Sequence, residues 1–336
     1  MLAFKKLTKK FPDGTVAVKE FTLEIKRGEF VVLIGPSGCG KSTTLRMMNR
    51  LVEPTSGTIE IDGKDYKSYP PVELRRRLGY VIQQVGLIPH LTIAENITFV
   101  LKLKGIKENE RRARAKELLE LIEMNPDVFM DRYPSELSGG QQQRIGVLRA
   151  LAHDPDIILM DEPFGALDPI TREQLQDELK RLQRSVHKTI VFVTHDMDEA
   201  VRMADRIVIM RNGDIVQAES PEQILRAPAD EFVANFIGRQ RLLRQKTEMP
   251  VADIMSKVVA PVSGQVSVNP EPEITIRPES TVLQSMQLIL SHNLDSLTVT
   301  DFDGKIVGIV NRADLISFLD NVRLADKEAA STKVVS

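Results

Sequence analysis

The stretch Gly35-Pro-Ser-Gly-Cys-Gly-Lys-Ser42 constrains this chain more than any other. It lies between the apolar run Phe30-Val-Val-Leu-Ile34 and the helix-forming Thr43-Thr-Leu-Arg-Met-Met48. A G-x-x-x-x-G-K-[ST] pattern between a strand and a helix is a phosphate cradle. Its glycines let successive backbone N–H groups converge on a polyphosphate, the helix N-terminus adds a favourable dipole, Lys41 supplies a cation, and Ser42 can ligate Mg²⁺. ATP or GTP is the expected ligand, held by Gly35, Pro36, Ser37, Gly38, Cys39, Gly40, Lys41, Ser42 and Thr43.

At about 150 residues per domain, 336 residues predict two domains. The longest apolar runs reach four or five residues, far short of the roughly 20 that span a bilayer. The start, Met1-Leu-Ala-Phe-Lys-Lys, lacks the pattern of an export signal, so a cytoplasmic location is expected. One cysteine, Cys39, excludes an internal disulfide framework and a cysteine zinc cluster. A net charge of -2 argues against nucleic acid as a bulk partner.

In chain order, residues 1–34 alternate as strands around the turn Pro12-Asp13-Gly14, and Phe11 ahead of it is either a base-stacking ring or an ordinary strand-end residue. Gly57–Gly63 reads as a hairpin strand, Arg77–Gln83 as a strand ending in glutamine, and 107–124 as an amphipathic helix with a charged face. In Leu137-Ser-Gly-Gly-Gln141, Ser138 can cap the following helix while Gly139 and Gly140 leave amides uncovered. The stretch is therefore a plain helix cap or a second anion site.

Ile157–Met160 delivers Asp161 and Glu162 at the C-terminal end of a buried strand, where α/β sheets place ligands. Asp161 fits a Mg²⁺-side carboxylate and Glu162 a base or water-orienting group. Ile190–Thr194 brings His195 to the same edge, as a structural or a functional histidine. Near a helix N-terminus, the Cys39 thiol can have a lowered pKa, although a small filler is the plainer reading.

Together, Gly35–Ser42, Gln83, Leu137–Gln141, Ile157–Glu162, Ala166-Leu-Asp168 and His195 closely resemble the nucleotide-binding subunit of ATP-binding cassette (ABC) transporters, over about residues 2–238. The resemblance implies an α/β P-loop NTPase cassette with an antiparallel β subdomain and a helical subdomain. It also implies a head-to-tail homodimer with two ATP molecules, each held by Gly35–Ser42 of one copy and Leu137–Gln141 of the other. In that frame Phe11 stacks on adenine, Lys41 holds phosphate, and Ser42, Gln83 and Asp161 serve Mg²⁺. Glu162 polarises the attacking water, His195 contacts the γ-phosphate, Ser138, Gly139, Gly140 and Gln141 face the nucleotide in trans, and Asp168 links the two sites. The apolar segment 86–100 is then either a core loop or the seat of a membrane-subunit helix.

Residues 239–249 carry Arg239, Arg241, Arg244 and Lys246 and read as a solvated linker, or as a contact for an anionic surface. Beyond it, prolines mark a second domain at about 250–320 with a loop near 263–273. A capped helix Ser280–Ser291, strands Leu297–Thr300 and Lys305–Val310 around the turn Asp303-Gly304, and a helix Arg312–Leu319 capped by Asn311 follow. This small α+β unit resembles a CBS module, a fold that often senses adenine nucleotides, with Asp314 in the ribose-binding position. Residues 321–336 read as a disordered tail. A CBS tail on an importer ATPase resembles osmoprotectant uptake subunits for glycine betaine, carnitine or choline. Other implied partners are permease subunits, an extracellular or periplasmic binding protein, and an adenine nucleotide or cyclic dinucleotide at the CBS domain. The competing readings are an importer of another small solute and a soluble ABC ATPase.

Overall fold

The computed structural model describes residues 1–82, 86–165, 167–238, 241, 247–257 and 274–320. Gln83, most of the basic linker, the loop expected at 263–273 and the tail 321–336 lie outside them. The chain forms two compact units, Met1–Ile224 and Leu225–Ser336, so the boundary expected at 238 falls inside the second.

In the first unit, β1 (Leu2–Lys10) pairs antiparallel with β2 (Val16–Ile25) across the expected turn. β4 (Ser56–Ile61) and β5 (Lys64–Asp65) complete a four-stranded antiparallel sheet ordered β2-β1-β4-β5. Alternation sends Leu2 and Phe4 into a shared core, a bulge with Lys6 at φ +47° brings Leu7 to the same face, and Phe4 meets Phe21 edge-on at 5.3 Å between ring centroids.

The second sheet holds β3 (Phe30–Ile34), β6 (Leu78–Val81), β7 (Ile157–Asp161), β8 (Thr189–Thr194), β9 (Arg206–Arg211) and β10 (Asp214–Glu219), in the order β10-β9-β3-β8-β7-β6. All neighbours are parallel except β10 and β9. β3, β7 and β8 are buried along their whole length, which is why their sequences are apolar runs rather than alternations. Register fixes the functional edge: Ile34 pairs with Thr194 and Asp161 with Val193. The residues that follow, Gly35, Glu162 and His195, therefore leave the sheet side by side.

The helix Glu108–Leu121 matches the charged amphipathic prediction, burying Ala115, Leu118 and Leu119. Residues 86–100 contain the short helix Ile93–Ile97, opened by a Thr92/Glu95 capping box. Fully buried Asn96 organises the turn before it, accepting from the Ile88 amide at 2.7 Å and donating to the Ile88, Leu91 and Thr92 carbonyls.

In the second unit, β11 (Ser256–Lys257), β12 (Thr275–Ile276), β13 (Ser296–Thr300) and β14 (Ile306–Asn311) form a sheet ordered β11-β14-β13-β12. Its core gathers Val251, Ile276, Val282, Ile289, Leu297, Val299, Val310 and Leu315. Two local predictions are corrected. The first helix runs Val282–Ser291, because Thr281 forms the capping box with Gln284, not Ser280. Asn311 ends β14, and its Nδ2 donates to Asp314 Oδ2 at 2.9 Å rather than capping helix amides with its oxygen.

Candidate nucleotide site

Gly35–Gly40 turns the chain from β3 into the helix Lys41–Met48. Gly40 sits at φ +105°, and a Cβ there would run into the carbonyl oxygen of Ala17. At Gly35 a Cβ would meet the Met210 carbonyl oxygen and lie 2.8 Å from Cys39 Sγ. Glycine is thus required by close backbone approach as well as by torsion. Pro36, Ser37 and Gly38 are exposed, so the top of the loop opens to solvent. Lys41 is only 6% exposed, and its Nζ donates to Gly35 O at 2.7 Å and Pro36 O at 3.0 Å. The lysine is thereby held beneath the loop whose amides would receive phosphate.

Ser42 Oγ donates to Asp161 Oδ1 at 2.8 Å, joining the first turn of that helix to the end of β7. Burial at 5% exposure pushes the Asp161 carboxyl above its usual range, opposed by the Ser42 hydrogen bond and by Arg46. Hydroxyl and carboxylate oxygen at one point suit a hard divalent cation. Among the described residues no group of three or more His, Cys, Asp and Glu could hold a metal alone. A cation here would complete its shell with nucleotide and water oxygens. Of the two readings of Cys39, the small buried filler holds and the lowered thiol does not. The thiol is buried at 3% exposure, and desolvation raises its pKa despite Lys41 Nζ at 3.8 Å.

Glu162 adopts φ +44°, and its amide donates to Val193 O at 2.9 Å, fixing the turn to β8. Its Oε2 lies 3.2 Å from Nδ1 of His195, which is mostly exposed. A carboxylate beside an exposed imidazole at this edge can orient water against a phosphate.

Ser138 caps the helix Gly139–Leu151 as expected, in a reciprocal box: Gln141 N donates to Ser138 Oγ at 3.3 Å and Ser138 N to Gln141 Oε1 at 2.9 Å. Gly140 is pressed against the next long helix, Pro169–Val186, where a Cβ would lie 2.5 Å from Thr171 Cγ2. Asp168 caps that helix by accepting from Thr171 N at 3.0 Å, and hydrogen bonds from the Thr171 side chain and then its amide lower its pKa. Among the described residues, no hydrogen bond joins Ser138–Gln141 to Gly35–Ser42. Phe11 is half-buried in the β1–β2 turn, its ring 5.1 Å from Lys9 Nζ.

The structure thus gathers Gly35–Thr43, Asp161, Glu162 and His195 at one sheet edge, and Ser138–Gln141 with Asp168 at the adjoining starts of two helices. Sequence reasoning passed over Arg172, Gln176 and Glu199, a connected group that reaches Thr194 and Asp196 on either side of His195. The available signal was Glu199 on a short helix whose other inward positions, Met197, Ala200 and Met203, are apolar.

A phosphate cradle, a buried carboxylate strand and a glycine-opened helix on this sheet define a nucleotide-binding P-loop cassette. The ABC transporter family profile matches residues 18–165, and the CBS domain profile residues 251–321. The chain belongs to the ABC transporter family as an ATP-binding subunit with a C-terminal CBS domain. It is 52% identical over 311 residues to the glycine betaine/carnitine/choline transport ATP-binding protein OpuCA of Bacillus subtilis (strain 168), covering 93% of this chain and 78% of that protein. It is 42% identical to the glycine betaine uptake system ATP-binding protein YehX of Escherichia coli (strain K12), covering 94% and 99%. Among solved structures it resembles the dimeric post-hydrolysis ATP-binding cassette MJ0796 bound to ADP and Pi, with TM-score 0.59, 41% identity, and coverage of 66% of this chain and 99% of that one.

Proposed function

We propose that this chain hydrolyses ATP to drive import of quaternary-amine osmoprotectants, of which glycine betaine, carnitine and choline are the candidates. The observation that carries the substrate class is the likeness to OpuCA over 93% of this chain, spanning both its cassette and its CBS domain. No helix among the described residues is long and apolar enough to cross a membrane. The chain would therefore act at the cytoplasmic face through permease subunits, which receive solute from an extracellular or periplasmic binding protein. Expressed with those subunits in cells lacking other osmoprotectant uptake, it should restore accumulation of labelled glycine betaine, carnitine or choline. Restored uptake of an amino acid or polyamine alone would overturn the substrate class.

Two copies would bind two ATP molecules head to tail. Lys41 and the backbone N–H groups of Gly35 and 37–43 would hold phosphates, Phe11 would stack on adenine, Pro36 would shape the loop, and Ser138, Gly139, Gly140 and Gln141 of the opposite copy would close the site. Asp168 would link the paired sites. Bound Mg²⁺, held by Ser42 and Asp161 and by Gln83, would neutralise phosphate charge. Glu162 would orient the attacking water, and His195, 3.2 Å away, would approach the γ-phosphate.

In the second unit Asp314, the candidate ribose ligand, accepts from Asn311. An adenine nucleotide or cyclic dinucleotide there would have to share that carboxylate. A lone CBS motif would pair with its counterpart across the dimer, so deleting residues 250–336 should weaken self-association in sedimentation experiments. ATP affinity should stay within about twofold, a change of about 0.4 kcal/mol.

A further inference from the structure

Behind His195 lies a buried polar cluster that the phosphate chemistry does not use directly. Glu199 is 5% exposed, on the helix Met197–Met203. One carboxylate oxygen accepts from Thr194 Oγ1 at 2.5 Å, and the other from Gln176 Nε2 at 3.3 Å. Arg172 Nε stands 3.9 Å from that second oxygen. The same guanidinium lies 3.6 Å from Asp196 and donates to the Leu167 carbonyl at 3.1 Å. Thr194 Oγ1 in turn accepts from the Asp196 amide at 3.0 Å.

Residues 194 and 196 flank His195, and Leu167 precedes Asp168. The cluster therefore ties the backbone beside one helix start to the backbone on both sides of the histidine. Each end also has local ties, since the Leu167 amide donates to Phe164 O at 3.2 Å and Asp196 caps the helix Met197–Met203, and the cluster adds the link between the two ends.

We infer that Glu199, through Thr194 and Arg172, is a positioning residue for hydrolysis: it sets His195 against Glu162 according to the placement of the Leu167–Asp168 loop. The inference rests on the assignment of Glu162 and His195 to hydrolysis. Buried charge clusters also stabilise folds, so the test must separate position from stability.

Glu199→Gln is suited to this. Its amide oxygen still accepts from Thr194, but its NH₂ now faces donors from Gln176 and Arg172. In the full-length chain, kcat should fall about tenfold with KM for ATP within about twofold, as when a contact made chiefly in the transition state is misplaced. Arg172 and Gln176 are one helical turn apart, so adding Gln176→Glu puts a carboxylate back within reach of the guanidinium. That double variant should recover most of the lost kcat. Should Glu199→Gln fail to fold, Arg172→Gln, at a site 28% exposed, should show the same kcat-selective loss.

Unchanged kcat in Glu199→Gln, a rise in KM alone, or a double variant that regains melting temperature but not kcat each overturns the inference. Parallel assays of Glu162→Gln and His195→Ala test the underlying assignment separately. Normal turnover in those two removes the assignment, whereas their inactivity beside an unimpaired Glu199→Gln removes only the network.

Discussion

Glu162→Gln is expected to cut steady-state ATP hydrolysis by about two to four orders of magnitude while ATP still binds. The Glu162 turn is secured by its own amide on Val193 O, a bond the side chain does not share, so an isosteric amide leaves the backbone in place. What would be lost is the acceptor proposed to polarise water, together with the partner of His195 at 3.2 Å. With ATP present and cleavage stopped, two copies should accumulate as a stable dimer. Phosphate release and size-exclusion chromatography with and without ATP read the two halves of this result, and near-normal turnover would remove Glu162 from its role.

Gly40→Ala should strongly damage the nucleotide site. The residue holds φ +105° and abuts the Ala17 carbonyl on β2, so the added carbon meets backbone that cannot swing aside. Torsional strain alone costs about 1–3 kcal/mol. Relief by shifting the loop would withdraw the amides that converge on phosphate and displace Lys41 from Gly35 O and Pro36 O. Nucleotide affinity should fall by at least about tenfold, equivalent to about 1.4 kcal/mol, with a lower melting temperature. Gly63, with a φ of +74° but open space around it, is the control: Gly63→Ala should lose some stability and leave nucleotide affinity alone.

The catalytic edge was legible because its elements are local. Apolar runs ended by Gly35, Asp161 and His195 announce buried parallel strands, and parallel strands in register bring their C-terminal ends together. Ser138 was legible for a similar reason, since a capping box is complete within four residues. Where two short-range choices competed, the sequence was ambiguous. Thr281 rather than Ser280 caps its helix because Gln284 stands three residues further on. For Cys39 the helix terminus argued one way and burial the other, and burial prevailed because the loop folds the thiol beneath Gly35. Glu199 was legible only as a charge among the apolar inward positions of its helix, not as a cluster. Its partners at Arg172, Gln176 and Thr194 come from another helix and from the end of β8, and no periodicity within one segment encodes that meeting.

The cap at Ser138 has a final consequence. A hydroxyl offers two lone pairs and one proton, and the Gln141 amide uses a single lone pair. The proton stays free to be donated to an anion arriving from another molecule, so one oxygen can terminate its own helix and grip a neighbour's phosphate at once. Threonine would preserve both capacities. Aspartate would keep the helix end while presenting negative charge to a negative guest, which makes position 138 a place where folding and association can be chemically uncoupled.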